Sequence, residues 1–182
     1  MTLDNKSYKT FQKLVVGKNI NPQTLLATDY LNHFNEIHML LGMIAEMPDC
    51  LEDILEWKKK SYQQHFMDSD FQDKEIAIEA YDYSPDKYKL KFEKCVSEME
   101  QLLLDTIGQV EKYLTENEID QVNAVVNIYS PKMEHYIEQC SSIINSQEVT
   151  TQQDSIDDLF NDVAQDEISN TTDQSSIDDL FD

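Results

Sequence analysis

Among 182 residues there is no arginine, and there are only three glycines, four prolines and three cysteines. No apolar run reaches the roughly 18 residues that a membrane-crossing helix needs. The N-terminal stretch "MTLDNKSYKTFQKLVVGKNI" lacks the apolar core and small-residue cleavage site of a secretory signal. The cysteines, Cys50, Cys95 and Cys140, are odd in number and far apart, with no CxxC pair. That argues against a secreted disulfide framework and against a zinc site. A soluble, cytoplasmic chain with thiols in a reducing compartment is the expectation. Positive charge is the other shortage: 14 lysines face 36 acids, a formal charge of -22. Such a chain is repelled by phosphate backbones and anionic lipid, so neither nucleic acid nor a membrane surface is an expected partner.

What remains favours helices, because Gly and Pro are scarce and few runs alternate apolar with polar. Residues 1–27 are polar and Lys-bearing and read as an N-terminal arm. Thr28 and Asp29 are suitable caps for a helix carrying Tyr30, Phe34, Ile37, Leu41 and Ile44 at steps of three and four. Met47-Pro48 ends it. Asp49 can cap a shorter segment through Trp57, with Lys58, Lys59 and Lys60 suiting a helix C-terminus. Residues 61–83 read as short helical pieces. Ser84 as N-cap with Pro85 at the first helical position then starts a long helix. Its stripe is Phe92, Val96, Met99, Leu103, Ile107, Val110 and Leu114, about 45 Å of helix at about 1.5 Å per residue. Thr115–Glu118, "TENE", has the form of a capping box for a last helix. That helix carries Ile119, Val122, Val126 and Tyr129, restarts or kinks at Ser130-Pro131, and continues through Met133, Tyr136, Ile137, Cys140 and Ile144.

The expected fold is therefore mainly α. A helical bundle at 28–145 is built on a long antiparallel helical hairpin, Pro85 to Asn145. A stripe this long calls for more cover than one extra helix gives, so a homodimer is an expected assembly. From Ser146 onward the periodicity vanishes and Ser, Thr, Gln and Asp take over, the composition of a disordered acidic tail at 146–182. That tail holds eleven acids and no lysine, half of the net charge.

The tail also repeats itself. "TTQQDSIDDLFND" begins at Thr150, and "TTDQSSIDDLFD" begins 21 positions later at Thr171. Ser155 to Phe160 superposes on Ser176 to Phe181 without a mismatch. Ile156, Leu159 and Phe160 fall at i, i+3 and i+4, as do Ile177, Leu180 and Phe181. Wound into helix, each copy presents one apolar patch ringed by acids. A segment this short does not hold a helix alone, so it suits folding into a groove on a partner. Two copies raise the local concentration of the second once the first is bound. Residues 153–160 and 174–181 therefore read as docking peptides.

"QxxIDDLF" resembles the response-regulator-binding peptides of bacterial chemotaxis, those of the switch protein FliM and of the phosphatase CheZ. Gln153, Ile156, Asp157, Leu159 and Phe160 match the pattern, and Gln174, Ile177, Asp178, Leu180 and Phe181 match it again. "QDEIS", Gln165 to Ser169, looks like a decayed partial copy. A second resemblance lies in the long helix. "DTIGQV", Asp105 to Val110, resembles the CheZ motif Asp-Leu-Thr-Gly-Gln-Val and keeps Asp105, Gly108, Gln109 and Val110. The i, i+4 spacing puts Asp105 and Gln109 on one helix face, nearly opposite the apolar stripe and beside Lys94, Glu98 and Lys112. The resemblance implies a CheZ-like phosphatase acting on the phosphoaspartate of a CheY-like response regulator. Gln109 would orient the attacking water, Asp105 would pair with a lysine of the regulator, and the tail peptides would recruit it. The resemblance implies no cofactor of the chain's own, with Mg²⁺ expected on the partner regulator.

Three other readings compete. Repeated C-terminal regulator-binding peptides on a helical bundle would equally make a non-catalytic adaptor that holds regulators without dephosphorylating them. His38-Met39-Leu40-Leu41-Gly42 resembles the His-x-Leu-Lys-Gly centre of histidine phosphotransfer domains. However, Leu41 stands where that family has Lys, and His38 lies near the apolar stripe. His33, Glu36, His65 and His135 form no recognisable metal set, since no second Glu-x-x-His helix accompanies His33 and Glu36.

Overall fold

The computed structural model describes residues 5–147, and the docking peptides expected at 153–160 and 174–181, with the rest of the expected tail from 148 on, lie outside them. The described chain is mainly helical and forms a helical bundle: α1 Asn5–Leu14, α2 Asn32–Met43, α3 Leu51–Glu56, α4 Tyr62–Asp68, α5 Lys74–Tyr81, α6 Asp86–Thr115 and α7 Ile119–Ile144. Short 3-10 turns at Thr28–Leu31 and Pro48–Cys50 precede α2 and α3. No strand occurs among the described residues. No helix there is long and apolar enough to cross a membrane.

The two longest helices are consecutive and pack most extensively on each other, with α2 laid against α7 and α3 touching α6. On α6 the buried row is Phe92, Cys95, Met99, Leu103, Thr106, Ile107 and Val110. It departs from the expected stripe at Val96 and Leu114, both only half-buried, and adds Cys95 and Thr106. Cys95 takes the buried position while Val96 is half-buried, and its Sγ contacts the Tyr136 carbonyl at 3.4 Å and Gln139 Oε1 at 3.8 Å. Thr106 is buried because its hydroxyl donates to the Leu102 carbonyl at 2.7 Å, which satisfies the one polar atom it brings inside. α7 buries Val122, Tyr129, Met133, Cys140, Ile143 and Ile144 and runs unbroken through Pro131.

Helix boundaries differ from the sequence expectation wherever a cap residue found a better partner. Pro85, not Ser84, is the N-cap of α6. The Ser84 hydroxyl instead donates to the Thr24 carbonyl at 2.7 Å. The "TENE" box does not form: Thr115 is still helical, and its hydroxyl donates to the Glu111 carbonyl at 2.8 Å. α6 stops because Asn117 adopts φ 57°. The Glu118 N–H then reaches the Tyr113 carbonyl at 2.8 Å, and the Asn117 N–H reaches Leu114 at 3.0 Å. That paired closure is the Schellman pattern, and Asn is the usual non-glycine residue for it. Likewise, neither Thr28 nor Asp29 caps α2 through its side chain, and the N-cap before the 3-10 turn is Ala27.

Residues 1–27 were expected as a polar arm, and in the described part they enter the core. Val15, Ile20, Leu25, Leu26 and Ala27 are all buried. Isolated apolar residues after a polar helix carry no periodicity, which is why the sequence hid them. Leu25 holds a left-handed φ of 57°, a conformation costing about 1–2 kcal/mol for a non-glycine residue. Its N–H bond to the Asn21 carbonyl (2.7 Å), the return bond from Asn21 to Leu26 (2.8 Å) and complete burial of its side chain offset that cost. Next to it, the Thr24 hydroxyl donates to the Ile144 carbonyl at 2.6 Å, tying this segment to the last turn of α7. Lys18 pairs with Asp73 at the start of α5.

Tyr30 centres an aromatic cluster at one end of the bundle, with Phe34, Tyr62, His65 and Phe92 rings 5.5–5.7 Å from it. Its hydroxyl donates to the Lys60 carbonyl at 2.8 Å, so the ring is buried without orphaning its oxygen. Lys59 and Lys60 serve tertiary ion pairs, to Glu100 at 3.1 Å and Asp68 at 3.0 Å, not the end of α3, which closes at Glu56.

Candidate functional site

Midway along α6 the buried row ends each turn at Leu103, Thr106, Ile107 and Val110, which forces Asp105, Gly108 and Gln109 to the outside. Asp105 and Gln109 are both exposed, one turn apart on the same flank. Neither hangs free. Gln101, a turn earlier, donates from Nε2 to Asp105 Oδ1 at 2.8 Å. Gln109 Nε2 donates to the backbone carbonyl of Asp105 at 3.2 Å. The Asp105 carboxylate keeps most of its acceptor capacity, since one amide N–H occupies one of roughly four lone-pair positions. The Gln109 bond is long and exposed, so its amide swings outward at little cost. Lys94 and Glu98, expected on this flank, pair with each other at 3.8 Å, and Lys112 lies over the Tyr113 ring at 5.2 Å.

A methyl group added at Gly108 would meet nothing within 4 Å. Packing within this chain therefore gives no reason for a glycine that costs a helix interior about 1 kcal/mol relative to alanine. Gly108→Ala is expected to raise the stability of the fold by up to about that amount, a gain of several degrees at most in melting temperature. Thermal unfolding followed by circular dichroism checks it.

A cleft of about 510 Å³ opens between α6 and α7, lined by Leu102, Pro131, Lys132, His135 and Tyr136. Leu102 precedes Asp105 by three positions and Gln109 by seven, so the cleft wall and the candidate pair share one side of α6.

His38 sits at the core boundary, as its place near the stripe suggested. Its side chain is 20% exposed, its ring lies 5.5 Å from that of Tyr129, and its Nδ1 is buried without a partner. Its other nitrogen, Nε2, lies 3.7 Å from the carboxylate of the exposed Glu134 on α7.

The fold gathers one cluster that the sequence did not. His33, Glu36 and His65 line a cleft of about 500 Å³ together with Asp29, Lys60 and Asp68, brought there by α2 and α4. Spacing could not reveal it, because His33 and His65 come from different helices. His33 Nε2 is 3.0 Å from the Lys58 carbonyl, and its ring stacks on Trp57 at 5.0 Å. No group of three or more His, Cys, Asp or Glu among the described residues is placed to hold a metal ion. Burial lowers the His33 pKa to about 4, against the opposing pull of the Lys58 carbonyl and with help from His65 and Lys60. His65 is lowered too, again mainly by burial. Because both folded-state values lie below the unfolded value of about 6.5, acid protonates the unfolded chain first. Stability is therefore fully present above pH 6.5 and falls as the pH drops toward 4. Urea midpoints measured between pH 7 and pH 5 should decline for the wild type. The decline should be shallower for His33→Gln, which removes one of the two imidazoles whose pKa burial lowers.

Comparison with protein-family models, with curated proteins and with solved structures finds no match to this chain.

Proposed function

We propose that the chain is a CheZ-like phosphatase that hydrolyses the phosphoaspartate of a CheY-type response regulator in the cytoplasm, with chemotaxis as its setting. The observation that carries this reading is the exposure of Asp105 and Gln109 on one flank of a 30-residue helix, with open space over Gly108 between them. An acyl phosphate is already labile, and the regulator brings its own Mg²⁺. The task left to the phosphatase is to hold one water in line with the scissile P–O bond. A carboxamide does this well, because its oxygen accepts from the water while its N–H₂ donates to a phosphoryl oxygen. Asp105 engages a lysine of the regulator and steers the insertion of Gln109. The peptides at 153–160 and 174–181 capture the regulator and present it to α6.

The finer architecture assigned to α6 and α7 is an antiparallel hairpin, a stiff rod on which the pair is displayed. It is supported by their three-residue connection and by Cys95 contacting Tyr136 and Gln139 while Leu102 lines one cleft with Pro131, Lys132, His135 and Tyr136.

The test is release of phosphate from a purified CheY-type receiver loaded with acetyl phosphate, with and without catalytic amounts of the full chain. Acceleration with turnover supports the phosphatase. Binding of the receiver without any acceleration makes the chain an adaptor and leaves "DTIGQV" as a solvated helix face.

A further inference from the structure

The candidate pair occupies only α6, yet the groove beside it has a second wall. On α7, Ile128, Lys132 and His135 stand at i, i+4 and i+7, a row along one side of the helix. Lys132 and His135 line the same cleft as Leu102 of α6. Leu102, Asp105 and Gln109 form the facing row. Cys95 contacts Tyr136 and Gln139, and Leu102, seven residues on, shares a cleft with Pro131, Lys132, His135 and Tyr136, so on the hairpin reading a step forward on α6 is a step back on α7. That register brings Ile128 to the level between Asp105 and Gln109. Ile128 is 62% exposed, although α7 has ample buried positions for an apolar side chain. Lys132 makes no ion pair among the described residues, in a chain where acids outnumber lysines by 36 to 14.

We infer that the docking face for the phosphorylated regulator spans both helices, with Ile128 and Lys132 of α7 contacting the receiver while α6 presents Asp105 and Gln109. The inference rests on the phosphatase reading and extends it to residues that no motif marks. The occupant follows from charge and position. An aspartyl phosphate within reach of Gln109 brings negative charge to a strongly acidic protein. The unpaired ammonium of Lys132, on the same flank, lowers that repulsion locally. Ile128 supplies the apolar contact that a polar rim alone does not give. Leu102 and Tyr136 line the same cleft as Lys132.

The test uses the full chain in a background with both tail peptides disabled (Leu159→Ala, Phe160→Ala, Leu180→Ala, Phe181→Ala), so that apparent affinity reports the helical face alone. The probe is a CheY-type receiver phosphorylated with acetyl phosphate. Ile128→Asp should lower kcat/KM by about tenfold or more, the factor expected from losing one buried aliphatic contact. Lys132→Glu should lower it at low salt, and the difference should close near 1 M salt as the charge is screened. Both positions are exposed, so melting temperatures should stay unchanged. In the tail-intact chain at saturating receiver, kcat should remain within about twofold, since neither residue orients the water. If the background chain is active and Ile128→Asp leaves kcat/KM unchanged, the α7 contact is wrong and the phosphatase reading stands. If Ile128→Asp instead dissociates a dimer of this chain with no change in kcat/KM, the surface belongs to a second copy and the inference is overturned. If the tail-intact chain releases no phosphate at all, the phosphatase reading fails and the inference falls with it.

Discussion

Gln109→Ala is expected to slow phosphate release by about a hundredfold or more at saturating receiver, with no change in receiver affinity. The size follows from what the side chain would do. It makes no covalent bond and carries no charge. Its contribution is to remove the freedom of a water that must lie on the P–O axis, and misplacement of about 1 Å in such a geometry costs on the order of 10²-fold. The sparing of affinity follows from the resting structure. Gln109 is exposed and its amide bonds only to the backbone of its own helix at 3.2 Å, so removing it opens no cavity and orphans no buried group. Helix propensity also favours alanine there. A variant with wild-type melting, wild-type binding and lost turnover therefore has one explanation, absence of the orienting amide. Loss of binding together with turnover would point to a structural role for Gln109 and undo the assignment. Gly108→Ala sharpens the distinction, because on this reading it stabilises the fold while crowding the partner. A rise in stability accompanied by a fall in turnover cannot arise from damage to the bundle.

The flank that carries Asp105 and Gln109 was legible in the sequence through the buried row. Phe92, Met99, Leu103, Ile107 and Val110 recur at helical spacing over five turns, and all five are buried. Once that row is fixed, Asp105 and Gln109 have nowhere to point but out. The same logic recovered Tyr30, Phe34, Ile37, Leu41 and Ile44, all of them buried. It failed where burial did not depend on periodicity. Leu25 and Leu26 are enclosed because the chain crosses the end of the bundle in an irregular segment, held by Asn21 and Thr24. Nothing in "NPQTLLATD" distinguishes that crossing from a surface loop. Capping residues failed for a related reason. Ser84 and Thr115 are both competent caps, and each instead took a backbone carbonyl brought near by tertiary structure or by its own helix. The α7 wall of the groove was illegible altogether. An exposed isoleucine one turn from a lysine carries no signal until the fold sets α7 against α6.

Disabling both tail peptides is expected to reduce kcat/KM by about a hundredfold while leaving kcat nearly unchanged; disabling one copy should cost only about twofold. The asymmetry is the informative part. On the proposed reading a receiver needs a single docking peptide to be held, and once held it would meet the α6 flank at an effective concentration of about millimolar, far above its concentration in free solution. The second copy then adds a statistical factor and a second chance of recapture after release of the first. Leu180→Ala with Phe181→Ala should therefore resemble the wild type within a factor of about two, as should Leu159→Ala with Phe160→Ala, and only the combination should collapse. If either pair alone produces the full loss, the copies bind together, either to two receivers or to one receiver with two grooves, and the duplication encodes stoichiometry. Repetition without a mismatch from Ser155 to Phe160 and from Ser176 to Phe181 favours equivalence, since two different sites would have no reason to demand the same six residues. A peptide of such negative charge also needs a partner groove bearing cations. Recruitment should therefore weaken as salt rises, while turnover of the captured receiver should not.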